Sequence, residues 1–254
     1  MSFTVPAGSY QQFMGRFADP LAVQFADFGG VTSGASALDV GCGTGALTAV
    51  LADRLGAAAV SAVDPSPSFV EAARRRLPGV DVRQARAEDL PFDDGRFDLV
   101  LAQLVVHFMT DPAAGMREMG RVARPGGVVA AAVWDHGGGQ GPLQVFWSAV
   151  RALDPAAPDE SDLPGVREGH LAALAGEAGL VDVDAAALTV EVAHESFEDW
   201  WRPFTLAVGP AGAYVASLDD AGRTALRERC RSVLPAGPFT IRATAWAVRA
   251  RTPS

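Results

Sequence analysis

Apolar positions along the chain change spacing in a regular way: compact apolar runs alternate with stretches in which apolar residues recur every three or four positions. Leu38 and Val40 give the first run its β-favouring character, and the run breaks at Gly41, Gly43 and Gly45. Leu47, Val50, Leu51 and Leu55 then fall on one helical face that Gly56 can end. A second apolar run, Ala59 to Val63, closes on Asp64. Ser66 and Pro67 follow as an N-cap and first-turn pair, and Phe69, Val70, Ala73 and Leu77 supply a buried helix face with Arg74 to Arg76 on the solvated side. Val80 to Arg86 predicts a third strand. Phe97 to Val106 is almost continuously apolar, as in a strand covered on both faces. Asp111 and Pro112 start a helix carrying Met116, Met119 and Val122, which Pro125, Gly126 and Gly127 end. Val128 to Val133 predicts the next buried strand, running into Trp134, Asp135 and His136.

Strands alternating with helices through this half predict a doubly wound parallel sheet with a ligand at the strand carboxyl ends. Ahead of it, Tyr10, Phe13, Met14, Arg16 and Phe17 read as a short amphipathic helix. Beyond it the pattern loosens. Gly137 to Gly141 reads as a flexible joint, Leu143 to Leu153 as a helix bearing Phe146 and Trp147, and the acidic, proline-rich stretch Asp154 to Gly165 as a mobile loop. Val166 to Ala178 predicts a helix stopped by Gly179, Val181 to Val192 a strand, Ala221 to Leu234 a helix, and Phe239 to Val248 a closing strand. Trp200, Trp201 and Phe204 cluster between Phe197 and Leu206.

With 254 residues and 49% hydrophobic content, the chain can bury a full core as one large domain or as a domain with a cap. No stretch is long and apolar enough to span a membrane, and the N-terminus lacks a basic segment followed by an apolar core, which predicts a cytoplasmic protein. Two cysteines, Cys42 and Cys230, cannot make a disulfide framework and read as free thiols. All 21 basic residues are arginine, and against 30 acidic residues they leave a net charge of -9. That balance disfavours nucleic acid as a partner. No cluster of histidine, cysteine and carboxylate residues has metal-site spacing, so no metal is expected.

The glycines carry the candidate chemistry. A strand-to-helix junction without Cβ atoms lets backbone approach a ligand and aims helix N-terminal N–H groups at it. Asp39, at the end of the first strand, suits a cationic ligand group. Asp64, at the tip of the second, could accept hydrogen bonds from two ribose hydroxyls. The order D-V-G-C-G-T-G then V-D-P-S, followed by A-E-D-L-P-F (87–92), F-D-L-V (97–100) and R-V-A-R-P-G-G (121–127), resembles class I S-adenosylmethionine-dependent methyltransferases of the ubiquinone/menaquinone-biosynthesis type. The resemblance covers Tyr10 to about Asp135, roughly half the chain.

That resemblance implies a Rossmann-like doubly wound α/β sheet of seven strands, mostly parallel with an antiparallel C-terminal strand, plus a helical cap. It divides the chain into a cofactor core with an N-terminal cap helix (1–136) and acceptor-side helices with the last two strands (137–254). S-adenosylmethionine is the implied cofactor and S-adenosylhomocysteine its product. Asp39, Gly41, Cys42, Gly43, Asp64 and Pro65 fall in its site. Ala87 and Glu88, with Asp89 as the alternative, read the adenine edge, although Arg86 takes a position that is often acidic. Tyr10 or Arg16 closes over the methionine portion, Arg16 by pairing with its carboxylate, unless Arg16 is simply solvated. Gln103 and His107 follow the strand that faces the methionine portion and the acceptor entrance, and His107 or His136 is the candidate base. Trp147, Trp200, Trp201 and Phe204 either line an apolar or aromatic small-molecule acceptor site or pack as core. Two other functions share parts of this pattern: a S-adenosylmethionine-binding protein without transfer activity, and a nicotinamide-dependent oxidoreductase.

Overall fold

The computed structural model describes Gly8, residues 11–157 and residues 159–254. Seven strands form one sheet: β1 Ala37–Val40, β2 Val60–Asp64, β3 Asp81–Gln84, β4 Phe97–Gln103, β5 Ala123–Trp134, β6 Val181–His194 and β7 Phe239–Arg251. Their order across the sheet is β3-β2-β1-β4-β5-β7-β6. The first five run parallel, and β7 lies between β5 and β6, antiparallel to both. Successive strands step outward from β1 to β3, then return to β4 on the other side of β1, which opens a crevice at the carboxyl ends of β1 and β4.

Period-two alternation assigns the two faces. On β5, Val128, Ala130 and Ala132 face one layer, while Val129, Ala131 and Val133 face the other. The first layer holds α1 (Arg16–Phe28) and α2 (Ala46–Leu55), with α3 (Pro67–Arg76) against Ala62 and Val82 on the same side. The second holds α4 (Pro112–Val122) and α6 (His170–Glu177). A third cluster joins α5 (Gln144–Leu153), α7 (Phe197–Trp201), α8 (Gly209–Ser217) and α9 (Asp220–Arg231) to Trp134 and to the adjoining ends of β6 and β7. This helical cap sits over the same end of the sheet as the crevice.

Local departures from the sequence pattern have identifiable causes. Helix α1 follows directly on a π-helical turn, Gln11–Gly15, and runs through Pro20 to Phe28. Strand β4 stops at Gln103: Leu104 takes φ 61, and the apolar run continues as a 3-10 turn, Val106–Phe108. Helix α6 begins only after Gly169, whose φ is 80. Ser66 occupies an extended N-cap position ahead of α3 but makes no side-chain capping bond; its Oγ lies 3.0 Å from Ser68 Oγ. Asp111 does cap, accepting from Ala114 N at 2.9 Å. The acidic segment expected to be mobile is pinned, since Glu160 is buried and accepts a 3.1 Å hydrogen bond from Trp147 Nε1.

Candidate functional site

A cavity of about 680 Å³ opens at the carboxyl ends of β1, β2 and β4, within the range of small-molecule sites. Its floor is the glycine turn. Gly41 N and Cys42 N both donate to Val63 O, at 2.8 and 2.9 Å, and Gly43 N donates to Asp64 Oδ2 at 2.9 Å. The turn is thereby fastened to the tip of β2. Gly45, at φ 87, then starts α2. Gly41 has φ 73, and a Cβ built on it would overlap the Val105 side chain. We therefore expect Gly41→Ala to destabilise the protein by roughly 2–4 kcal/mol, combining left-handed backbone strain with overpacking. Gly34→Ala, at φ 87 but facing open space, should cost only about 1–2 kcal/mol. Thermal melts of the two variants check this; equal costs would remove the Val105 contact from the explanation.

Of the cofactor residues expected from sequence, Asp39, Gly41, Cys42, Gly43, Asp64, Pro65, Ala87, Glu88 and Gln103 all line this one cavity. Tyr10 lies outside the described residues. Arg16 is not in the wall. Its Nη1 contacts both carboxylate oxygens of Asp199 at 3.0 Å, and its Nη2 donates to Ala193 O at 2.6 Å. The guanidinium thus clasps α1 to β6 and α7, while its neighbours Gly15 and Ala18 line the cavity.

The polar lining is acceptor-rich. Asp39 accepts from Thr48 Oγ1 at 2.6 Å, and burial pushes its carboxyl up to about 7 against that hydrogen bond, with Asp64 adding repulsion. Asp64 is raised by burial too, opposed by backbone N–H donors from Ser66 (2.8 Å) and Gly43. Gln103 Nε2 donates to Ala18 O at 3.0 Å, which leaves its Oε1 buried with no hydrogen-bond partner. Glu88 accepts from Thr110 N at 2.7 Å and lies 3.5 Å from Arg86 Nε. Burial alone would raise its carboxyl, but these backbone donors and Arg86 hold it below the ordinary range. Asp89 is exposed and is not in the wall.

The histidines and cap aromatics stand elsewhere. His107 sits on the turn whose neighbours Phe108 and Met109 line the cavity, but it is itself buried behind that wall, its ring 6.1 Å from that of His136. Trp200, Trp201 and Phe204 are buried in the cap core, with Phe204 stacked on Phe146 at 4.6 Å. Trp147 belongs to the same core and borders a second, very small cavity with His136 and Glu160. Sequence reasoning did not anticipate Glu160, which no local motif marks.

The sheet order, the glycine turn at its switch point and the acidic tips of β1 and β2 define a Rossmann-like doubly wound fold. Residues 38–131 match the family described as methyltransferase domain. Over 90 residues the chain is 41% identical to a demethylmenaquinone methyltransferase of Chlorobaculum tepidum, covering 35% of this chain and 37% of that protein. Over 99 residues it is 42% identical to a ubiquinone biosynthesis O-methyltransferase of Methylocella silvestris, covering 37% and 38%. The matched region spans about two fifths of the length of such curated relatives. The likeness of fold extends further: a Haemonchus contortus phosphoethanolamine N-methyltransferase 2, solved with phosphomonomethylethanolamine and S-adenosylhomocysteine, superposes with a TM-score of 0.61 at 17% identity, covering 98% of this chain and 57% of that one. No helix among the described residues is long and apolar enough to cross a membrane.

Proposed function

We propose that the protein transfers a methyl group from S-adenosylmethionine to a small-molecule acceptor, a reading carried chiefly by the convergence of Asp39, the glycine turn, Asp64 and Glu88 on one cavity. The lining fits that cofactor. The buried, unpartnered Gln103 Oε1 and the Asp39 carboxylate are acceptors for an ammonium group, and Asp64 keeps lone pairs for two ribose hydroxyls. Ala87 and Glu88 face the adenine. Arg16, held by Asp199, leaves the cofactor's carboxylate to the backbone N–H groups around the glycine turn and the start of α2.

Bound there, S-adenosylmethionine supplies a methyl group on an electron-poor sulfonium. The chain's part is to orient it, exclude water behind Leu104, Phe108 and Met109, and admit the acceptor in line. Proximity then accounts for much of the rate. Burial keeps His107 neutral, well below the ordinary histidine range, and it lies behind the wall, so this reading gives it no proton to move. Relatives named for quinone methylation favour an apolar or aromatic acceptor.

A nicotinamide site would need a second parallel nucleotide-binding half beyond the switch point. There the sheet instead ends in β5-β7-β6 with β7 reversed. Calorimetric titration should accordingly give micromolar binding of S-adenosylhomocysteine and none of NADH. Labelled methyl transfer to a panel of phenols, amines and polyketides tests the rest. Absence of S-adenosylhomocysteine binding would sink the reading; binding with no transfer to any acceptor would favour the binding-protein alternative.

A further inference from the structure

Outside the large cavity, among the described residues, three potential metal ligands from distant parts of the chain meet. His107 comes from the turn after β4, His136 from just past the end of β5, and Glu160 from the segment after α5. One ligand atom from each lies within 4.8 Å of the other two. His136 and Glu160 border a cavity of about 10 Å³, room for a single ion or water and nothing larger. His107 Nδ1 is buried and has no hydrogen-bond partner.

The geometry points to a closed divalent-metal site formed by His107, His136 and Glu160, of the chemistry that takes Zn²⁺. Two imidazoles and one carboxylate are a borderline donor set, suited to zinc and poorly suited to magnesium, which selects oxygen ligands. Around a tetrahedral ion with bonds of about 2.1 Å the ligand atoms stand roughly 3.4 Å apart, so shifts of about an ångström close the site. The surrounding contacts already resemble the outer support such ligands need. Trp147 Nε1 donates to Glu160 Oε2, leaving the other carboxylate oxygen for a metal. Next to His136, Asp135 is buried and holds the turn by accepting from Gly138 N at 2.7 Å and Gln140 Nε2 at 3.0 Å.

The cavity has no space for an organic acceptor, so the ion's role is to hold structure. It would tie the segment bearing Glu160 to the ends of β4 and β5. None of these three residues lines the large cavity, so metal binding and S-adenosylhomocysteine binding can be scored separately.

The test uses the full chain after chelator treatment, titrated with ZnCl2, CoCl2 and MgCl2, with thermal melts alongside. We expect one equivalent of Zn²⁺ or Co²⁺ to bind and raise the melting temperature, with no effect of Mg²⁺. Glu160→Gln, which keeps an acceptor for Trp147, and His136→Asn should each weaken Zn²⁺ at least about tenfold, the lower end of what losing even an outer-shell partner costs a metal site. Both should keep wild-type S-adenosylhomocysteine affinity, which also reports that they are folded. The Co²⁺ spectrum of the unmutated protein gives a readout independent of the variants. A ligand-field spectrum without a thiolate charge-transfer band supports the site. A thiolate band, which would place the metal on Cys42 or Cys230, overturns it. So does the absence of Zn²⁺ and Co²⁺ binding, or binding that survives both substitutions unchanged.

Discussion

Asp64→Ala should remove measurable binding of S-adenosylhomocysteine while leaving the sheet folded. Each Asp64 oxygen already accepts one backbone N–H, from Ser66 and from Gly43, and retains a lone pair that can face a ribose hydroxyl. Hydrogen bonds to a charged group contribute about 1.5–3 kcal/mol each, so losing two costs roughly 3–6 kcal/mol. That shifts a micromolar site to between roughly 0.1 and 10 mM. The same substitution strips the glycine turn of one of its fastenings, which adds to the loss. Asp64→Asn should fall between the two, because one amide oxygen can replace only one acceptor while the amide nitrogen confronts a backbone donor. Calorimetry with circular dichroism on the same samples decides it: an unchanged dissociation constant in the alanine variant would take Asp64 out of cofactor recognition.

The second large effect is a pH dependence centred on Asp39. An unfolded aspartate titrates near 3.8, whereas burial pushes the folded carboxyl up to about 7. Between those values the folded chain holds a proton that the unfolded chain has released. The stability this group contributes is therefore full in acid, declines as pH rises from about 4 to 7, and is gone above 7. With each pH unit equivalent to about 1.4 kcal/mol, the ceiling is about 4 kcal/mol. Asp39→Asn removes the titration, so its stability relative to wild type should increase across that window and level off above it. Ligand affinity should run the other way. An ionised Asp39 is what an ammonium needs, so S-adenosylhomocysteine binding to wild type should weaken by up to about tenfold per pH unit below 7, and the asparagine variant should bind poorly throughout. Denaturant melts and titrations from pH 5 to 8 test both halves; identical profiles for the two proteins would refute the assignment.

How much of this was readable in the sequence depended on distance along the chain. The glycine turn, Asp39 and Asp64 lie within 26 residues, in a strand–helix–strand unit whose hydrophobic spacing is unambiguous, and the chain folds there as its pattern dictates. The partner of Arg16 was invisible because Asp199 is 183 residues away, and a guanidinium suited to a ligand carboxylate is equally suited to an aspartate. Trp200, Trp201 and Phe204 have spacing that serves a core or a pocket equally well, and only packing distinguishes them. Helix α8 has the sequence G-P-A-G-A-Y-V-A-S, whose glycines disfavour a helix; burial of Ala211, Gly212 and Val215 overrides that preference. The cluster of His107, His136 and Glu160 escaped for a related reason: steps of 29 and 24 residues follow no metal-site pattern, and the β4 and β5 strand ends bring the histidines together.

The placement of β7 between β5 and β6 has a consequence for how the chain emerges during synthesis. Strand β6 has no neighbour in the sheet except β7, which begins 45 residues after β6 ends. A nascent chain can pair β1 to β5 as they leave the ribosome, yet β6 stays an open edge until β7 arrives to sit between it and β5. Its outward valines, Val181 and Val183, alternate with Asp182 and Asp184, and those carboxylates discourage the waiting strand from joining another chain.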